Sequence, residues 1–191
     1  MKHSIDELLS IIDRYYPRGL YPDDPGYDDC EEHRRLVQAR IRAAAEGNPW
    51  DALRERLRLQ FPKGLMNRSL GLYTGDYDAA YLGSVTLPAR GWFDRYRALH
   101  FMISFLVPYF VVYGAANVVA PVTDGGQVNR HISFTFAPDE EPHARALTEE
   151  ILNVFPGYEP MPPEIGHIRL PADIKCIPEG TIYKALFTSV L

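Results

Sequence analysis

Residues 101–122 form an uncharged run, and 22 residues without Asp, Glu, Lys or Arg are enough for a helix to span a bilayer. The residue types favour strands instead. Every odd position of Leu99–Val107 is large and apolar, whereas the even positions include polar side chains, and this period of two is typical of a strand. Pro108 interrupts the run. We therefore predict two buried strands, Leu99–Val107 and Tyr109–Val119, and no membrane span.

Two further stretches of alternating apolar residues extend the predicted sheet, Tyr81–Leu87 and Val128–Phe136. Apolar residues at helical spacing, together with capping residues, predict helices on either side of these strands. The first predicted helix begins at Ser4 and ends before Pro17, and the second begins at Asp28 or Asp29 and ends near Glu46. The third begins at Asn48 and ends before Pro62, and the fourth begins at Glu141 and ends before Pro156.

The C-terminal part of the sequence is rich in proline. Residues 156–178 contain six prolines, which predicts an extended loop that covers the core, and Thr181–Val190 is compatible with either a strand or a helix. The order of elements predicts an α+β fold with N-terminal helices, a largely antiparallel central sheet, one later helix and a Pro-rich C-terminal segment. A length of 191 residues suits a single domain, with a helical N-terminal part (1–62) and a sheet-containing core (79–191).

Charge, cysteine content and the first residues restrict the class of protein. The formal net charge is −5 and the pI is near 5.7, which argues against nucleic-acid binding through a global positive field. Two cysteines, Cys30 and Cys176, cannot build a disulfide framework. Asp6 and Glu7 stand where a signal peptide would be apolar, so we expect a cytoplasmic protein with no membrane partner.

The motifs of common enzymes are missing from the sequence, which has no nucleophile elbow, no phosphate-binding loop and no dinucleotide fingerprint. Cys30 and His33 have the spacing of two zinc ligands, but a zinc site needs two more, which would have to come from distant residues. His100 and His131 lie in or beside predicted strands and could each be a general base or a structural residue. We predict no catalytic residue, metal or cofactor, and a small enzyme using one of these histidines is the alternative.

Acidic residues are concentrated in residues 21–32, called the acidic segment below. This segment has a net charge of −6, whereas residues 33–58 have a net charge of +4 that comes from seven arginines. The acids can pair with these arginines and with a helix dipole, or they can face a basic partner and steer its approach. Tyrosines alternate with acids here and at residues 73–78, and tyrosine suits both interfaces and packing under loops. The predicted partner-binding residues are Asp23, Asp24, Tyr27, Asp28, Asp29, Glu31, Glu32, Asp76 and Tyr77.

Several short segments occur in an order that is shared with a known group of proteins. They are Tyr15–Gly19, Trp50 in the third predicted helix, Phe105–Phe110 in the strand pair, and Leu170–Ile174 followed by Thr181–Ile182 and Leu186–Phe187. In this order of elements the chain resembles the immunity proteins of bacterial polymorphic toxin and contact-dependent antagonism systems. The resemblance implies a small α+β cytoplasmic protein that binds and neutralises one cognate toxin, and it supplies no catalytic residue.

We therefore expect a protein-binding inhibitor whose partner is a basic protein toxin. It would act by steric occlusion, or by carboxylates that take the place of the phosphates a nuclease binds. A third possibility is a self-associating scaffold, in which an edge strand or the Tyr-rich face forms a homodimer.

Overall fold

The computed structural model of the chain describes residues 2–45, 48–62, 64–67, 79–89, 97–119 and 128–187. The helices in these ranges are α1 (Ile5–Ile12), α2 (Glu31–Ala45), α3 (Asn48–Gln60), α4 (Glu141–Val154), α5 (Pro163–Gly166) and α6 (Ile182–Leu186). The strands are β1 (Leu65–Asn67), β2 (Ala80–Leu87), β3 (Arg97–Ser104), β4 (Tyr109–Val119), β5 (Val128–Ser133) and β6 (Glu159–Pro160). The predicted α+β class is confirmed.

The strands form one sheet in the order β1-β2-β3-β4-β5, and each neighbouring pair is antiparallel. A short parallel pairing joins β6 to the start of β4. Residues 101–119 of the uncharged run lie in β3, in β4 and in the turn between them, which confirms the prediction of two strands, and residues 120–122 lie outside the described residues. β3 ends earlier than predicted because the Ser104 hydroxyl accepts a hydrogen bond from the N–H of Leu106 at 3.2 Å and the chain turns there. No helix in the described ranges is both long and apolar enough to cross a membrane.

Both faces of the sheet are buried, because successive side chains of a strand point to opposite faces and β3 is apolar on each. One face carries Met102 and packs against α1, α6 and the C-terminal segment. The other face carries Phe101 and Phe110 and packs against α3 and α4. α2 contributes to both cores, with Leu36 in the first and Ala43 in the second. The N-terminal helices therefore lie on both sides of the sheet.

Arg97, at the start of β3, connects the sheet to the beginning of α4. Its side chain is 3% exposed, and its guanidinium donates hydrogen bonds to Asp139 at 3.0 Å and to Glu140 at 2.6 Å. The guanidinium also donates to the carbonyl oxygen of Pro88 at 3.1 Å, and Glu140 accepts a bond from the N–H of Ala137 at 3.0 Å. A buried charge requires such pairing because its removal from water is costly. These bonds hold the first turn of α4 against the sheet.

Two helix boundaries differ from the prediction. α1 ends at Ile12, well before Pro17, because the N–H groups of Arg14 and Tyr15 bond to carbonyls three residues back and tighten the helix into turns. α2 begins at Glu31, after the predicted start, because the preceding residues form a series of turns.

The end of β5 and the C-terminal segment also differ. β5 ends at Ser133, where the serine hydroxyl donates to the carbonyl of Thr135 at 2.8 Å and bends the chain. The predicted proline-rich loop contains two short elements, β6 and α5. Of the segment Thr181–Val190, which was compatible with a strand or a helix, Ile182–Leu186 form α6, whose start is capped by the Thr181 hydroxyl accepting a bond from the N–H of Lys184 at 3.2 Å. Residues 188–190 lie outside the described residues.

The close approach of β2 and β3 gives a first prediction. A Cβ on Gly83 would overlap the ring of buried Phe101, so we expect Gly83→Ala to lower the free energy of unfolding by about 1–3 kcal/mol through overpacking. Gly114→Ala in β4 is the matched control, because its Cβ would meet its nearest neighbours at 3.7 Å, an ordinary contact. Urea unfolding of both variants measures the difference. Equal stabilities would contradict the predicted overlap.

Candidate functional site

The chain enters the acidic segment through a turn that is bonded to the C-terminal segment. The Arg18 guanidinium donates hydrogen bonds to Asp13 at 2.7 Å and to Asp173 at 2.8 Å, and the N–H of Gly19 donates to the Asp173 carbonyl at 2.6 Å. The bond from Arg18 lowers the pKa of Asp173, while the bonds to Asp13 and Asp173 raise the pKa of Arg18. Gly19 has a φ of 77°, a backbone conformation that suits glycine. The start of the segment is therefore fixed in position.

Consecutive turns give the acidic segment its shape. Its backbone N–H groups bond to carbonyls three residues earlier, from Asp24 to Tyr21, from Tyr27 to Asp24 and from Cys30 to Tyr27. The Asp24 carboxylate accepts a bond from the N–H of Tyr21 at 2.7 Å and closes the first turn. The Tyr27 side chain is 1% exposed and lies in the core formed with α1 and α6. One buried ring and a bonded backbone thus hold the loop.

The carboxylates of this loop are exposed although they contact basic side chains. Asp28, Asp29 and Glu31 have side chains that are 89%, 84% and 75% exposed. Their contacts are Asp28 with Nε2 of His33 at 3.5 Å, Asp29 with Arg34 at 2.9 Å, and Glu31 with Arg35. Such exposed ion pairs contribute only about 0–1 kcal/mol, so a basic partner could replace them at little cost. Asp23 and Glu32 have no ion pair with any residue of the described ranges.

The structure separates the predicted contact residues by location. Asp23, Asp28, Asp29 and Glu31 lie at the surface of the acidic segment, whereas Asp24 and Glu32 are half-buried. Tyr27 was predicted to contact a partner, but its ring lies in the core and is not available at the surface, because it is the anchor of the loop. Asp76 and Tyr77 lie outside the described residues.

One surface residue was missed by the sequence prediction. Tyr21 is 53% exposed, and Nζ of Lys175 lies 5.1 Å from the centre of its ring. Tyr21 and Tyr27 both lie within two residues of an acid in the sequence, so the pattern alone gave no means of deciding which one is buried. The contact with Lys175 joins residues far apart in the chain and has no local signal.

Cys30 and His33, which have the spacing of two zinc ligands, are joined by a hydrogen bond. The N–H of His33 donates to Sγ of Cys30 at 3.4 Å. Cys176 is buried; its burial raises the pKa of its thiol, and a hydrogen bond with Tyr27 opposes that change. In the residues that the structure describes, no three His, Cys, Asp or Glu side chains are grouped to hold a metal ion.

His100, one of the two histidines considered for catalysis, is 6% exposed and lies within the sheet. Its ring stacks on Tyr113 of the neighbouring strand, with centroids 5.2 Å apart and planes at 12°. Such a cross-strand ring pair is typical of a structural histidine. His131 lies in β5, and its side chain is outside the described part of the structure.

Comparison of the chain with protein-family models, with curated proteins and with solved structures found no match.

From the largely buried ring of His33 we predict that the stability of the protein depends on pH. Its side chain is 12% exposed, and the centroids of the His33 and Tyr27 rings are 4.7 Å apart. Burial lowers the pKa of His33 below the ordinary 6.5. The charge of Asp28 raises this pKa, and the charge of Arg40 lowers it further. As the pH falls below about 6.5, His33 therefore binds a proton more readily in the unfolded chain than in the folded chain. The contribution of neutral His33 to the free energy of unfolding is present above pH 6.5 and is lost as the pH falls through the folded-state pKa.

We expect His33→Gln to lose less stability than the unchanged protein between pH 7.5 and pH 5.5. Urea unfolding at the two pH values measures this loss. His143→Gln is the control, since His143 lies on α4 and contacts Phe61 at 5.9 Å, away from the acidic segment. If His33→Gln and His143→Gln have the same pH dependence, the assignment to His33 is wrong.

Proposed function

We propose that the protein is an inhibitor that binds a basic protein through its acidic segment, and that this partner is a cognate bacterial toxin. The observation that carries the proposal is the exposure of Asp28, Asp29 and Glu31, whose side chains are 75% to 89% exposed on a segment that ends in the first turn of α2 and has a hydrogen-bonded backbone. The toxin as partner class comes from the resemblance in element order described above.

A fixed acidic loop suits recognition of a cationic surface for two reasons. Its backbone is held in position before binding, so little loop entropy is lost on association. Its charge also attracts a basic partner over a distance of about 10 Å at ordinary salt, which raises the association rate. The exposed ring of Tyr21 adds a large apolar contact beside the acids.

The ion pairs inside the segment are compatible with this function. A partner arginine that approaches Asp29 or Glu31 competes with Arg34 or Arg35, both of which are exposed and can swing into water. A bidentate arginine–carboxylate contact that is shielded from water is stronger than an exposed pair. The internal pairs therefore do not block the carboxylates from a partner.

Charge removal tests the surface without adding new repulsion. The acidic-segment variant removes four exposed charges through the substitutions Asp23→Asn, Asp28→Asn, Asp29→Asn and Glu31→Gln. The control variant removes four exposed charges from α3 and α4 through the substitutions Asp51→Asn, Glu55→Gln, Glu141→Gln and Glu149→Gln. Both variants change the formal net charge from −5 to −1. A difference between them therefore reports position and not total charge.

The experiment begins with affinity capture of the tagged protein from its native cells, followed by expression of the captured protein alone and together with each variant. We expect a partner that stops growth when expressed alone, and rescue by the unchanged protein and by the α3–α4 control. For the acidic-segment variant we expect loss of rescue and an association rate at low salt reduced about tenfold or more, with a smaller reduction at high salt.

Two outcomes would contradict the proposal. If no captured partner is toxic, the inhibitor function is wrong. If the acidic-segment variant rescues growth and binds as fast as the α3–α4 control, the acidic segment is not the binding surface, and the inhibitor function itself is not contradicted.

A further inference from the structure

A cavity of about 370 Å³ lies next to the core that includes α3 and α4, and Tyr15, which follows α1, also lines it. It is bounded by the second half of α2, the start of α3, the end of α4 and the ring of Tyr81 from β2. This volume is within the range of about 300–1,000 Å³ that is usual for small-molecule pockets. We call it the aromatic cavity, after the rings that line it: Tyr15, Tyr81, Phe105, Phe155 and Tyr158.

The rings of the aromatic cavity support one another. Tyr81 contacts Phe105 and Phe155, each with a centroid distance of 6.2 Å, and Phe155 meets Tyr158 edge-on at 5.3 Å. Trp50 stacks on Tyr81 at 5.3 Å with planes at 7°. The Tyr81 hydroxyl donates to the carbonyl oxygen of Ala43 at 2.8 Å, which fixes the ring to α2. The aromatic wall is therefore organised before any ligand enters.

Polar groups at the same cavity lack protein partners among the described residues. The hydroxyls of Tyr15 and Tyr158 make no hydrogen bond with those residues, in contrast to the hydroxyl of Tyr81. Burial raises the pKa of Tyr158, so its hydroxyl remains a donor across the physiological pH range. Tyr15, Tyr158 and Arg42 all line this cavity.

Arg42 differs from most arginines on the helices around it. The following arginines each pair with a carboxylate: Arg34, Arg35, Arg54, Arg56 and Arg58. Arg42 forms no ion pair within the described ranges, although it is exposed and lies on the last turn of α2. A cation on the last turn of a helix is favoured by the helix dipole. The dipole does not explain why Arg42 also lines the aromatic cavity.

We propose that the aromatic cavity binds a small planar aromatic carboxylate. The ring of the ligand would lie against Tyr81, Phe105 and Phe155, where offset or edge-to-face contacts between rings are favourable. Its carboxylate would accept two parallel hydrogen bonds from Arg42, the geometry that suits guanidinium, and would also accept bonds from the tyrosine hydroxyls. Such a ligand offers an acceptor to Arg42, Tyr15 and Tyr158, the polar side chains of the cavity that have no hydrogen-bond or ion-pair partner among the described residues.

This site is separate from the acidic segment, although both lie on α2. Arg42 is eleven residues after Glu31, which is about 16 Å along the helix axis. Failure of one proposal therefore leaves the other unaffected, and the two are tested with different variants.

The probe for the test is 2-naphthoate, with 2-naphthamide as its neutral counterpart. In a Trp92→Phe background Trp50 is the only tryptophan, and its stacking on Tyr81 makes its fluorescence a reporter of the cavity. We expect saturable binding of one 2-naphthoate per chain, seen both by this fluorescence and by calorimetry. We expect 2-naphthamide to bind about tenfold or more weakly, because it lacks the charge-assisted hydrogen bonds.

Three variants locate the bound probe. Arg42→Gln should weaken 2-naphthoate binding about tenfold or more, and Tyr158→Phe should weaken it about threefold to tenfold, as expected for loss of a charged and of a neutral hydrogen bond. Arg35→Gln, on the same helix, is the matched control and should bind like the unchanged protein. Thermal unfolding confirms that each variant is folded. The proposal is overturned if 2-naphthoate shows no saturable binding at millimolar concentration, or if Arg42→Gln binds it as well as Arg35→Gln.

Discussion

The central strands β3 and β4 are apolar on both faces, and a sheet of this kind is stable only when both faces are covered. The chain meets this requirement with segments from both ends of its sequence. α1, α6 and the C-terminal segment cover one face, and α3 and α4 cover the other. α2 lies between the two cores and contributes Leu36 to one and Ala43 to the other. The acidic segment connects α1 to α2, so the covering of the sheet determines where its carboxylates are displayed.

The features that could be predicted from the sequence are those with a local cause. The uncharged run has a period of two and a proline in its middle, and this was enough to predict β3 and β4. The capping box at Ser4 and Glu7 is also a local pattern, and the structure has both of its hydrogen bonds. Exposure of the acids followed from their charge, because carboxylates are rarely buried without a partner.

The features that could not be predicted depend on contacts between distant residues. Nothing near Arg97 in the sequence shows that Asp139 and Glu140 will pair with it. The same is true of Tyr27, whose burial depends on a core that includes Cys176. Arg42 and Arg35 look alike in the sequence, and only the folded structure separates the one at the aromatic cavity from the one beside Glu31.

The position of the acidic segment depends on residues made much later. Arg18 and Gly19 bond to Asp173, and the hydroxyl of Tyr16 donates to the carbonyl oxygen of Ala185 at 2.6 Å. A ribosome makes the N-terminal residues first, and long-range contacts form only when both partners are present. During synthesis the acidic residues therefore leave the ribosome early, but the contacts that join this part of the chain to the C-terminal segment form only after residue 185 has been made. Translation that stops before this point would yield a chain with the same acidic sequence and without these contacts.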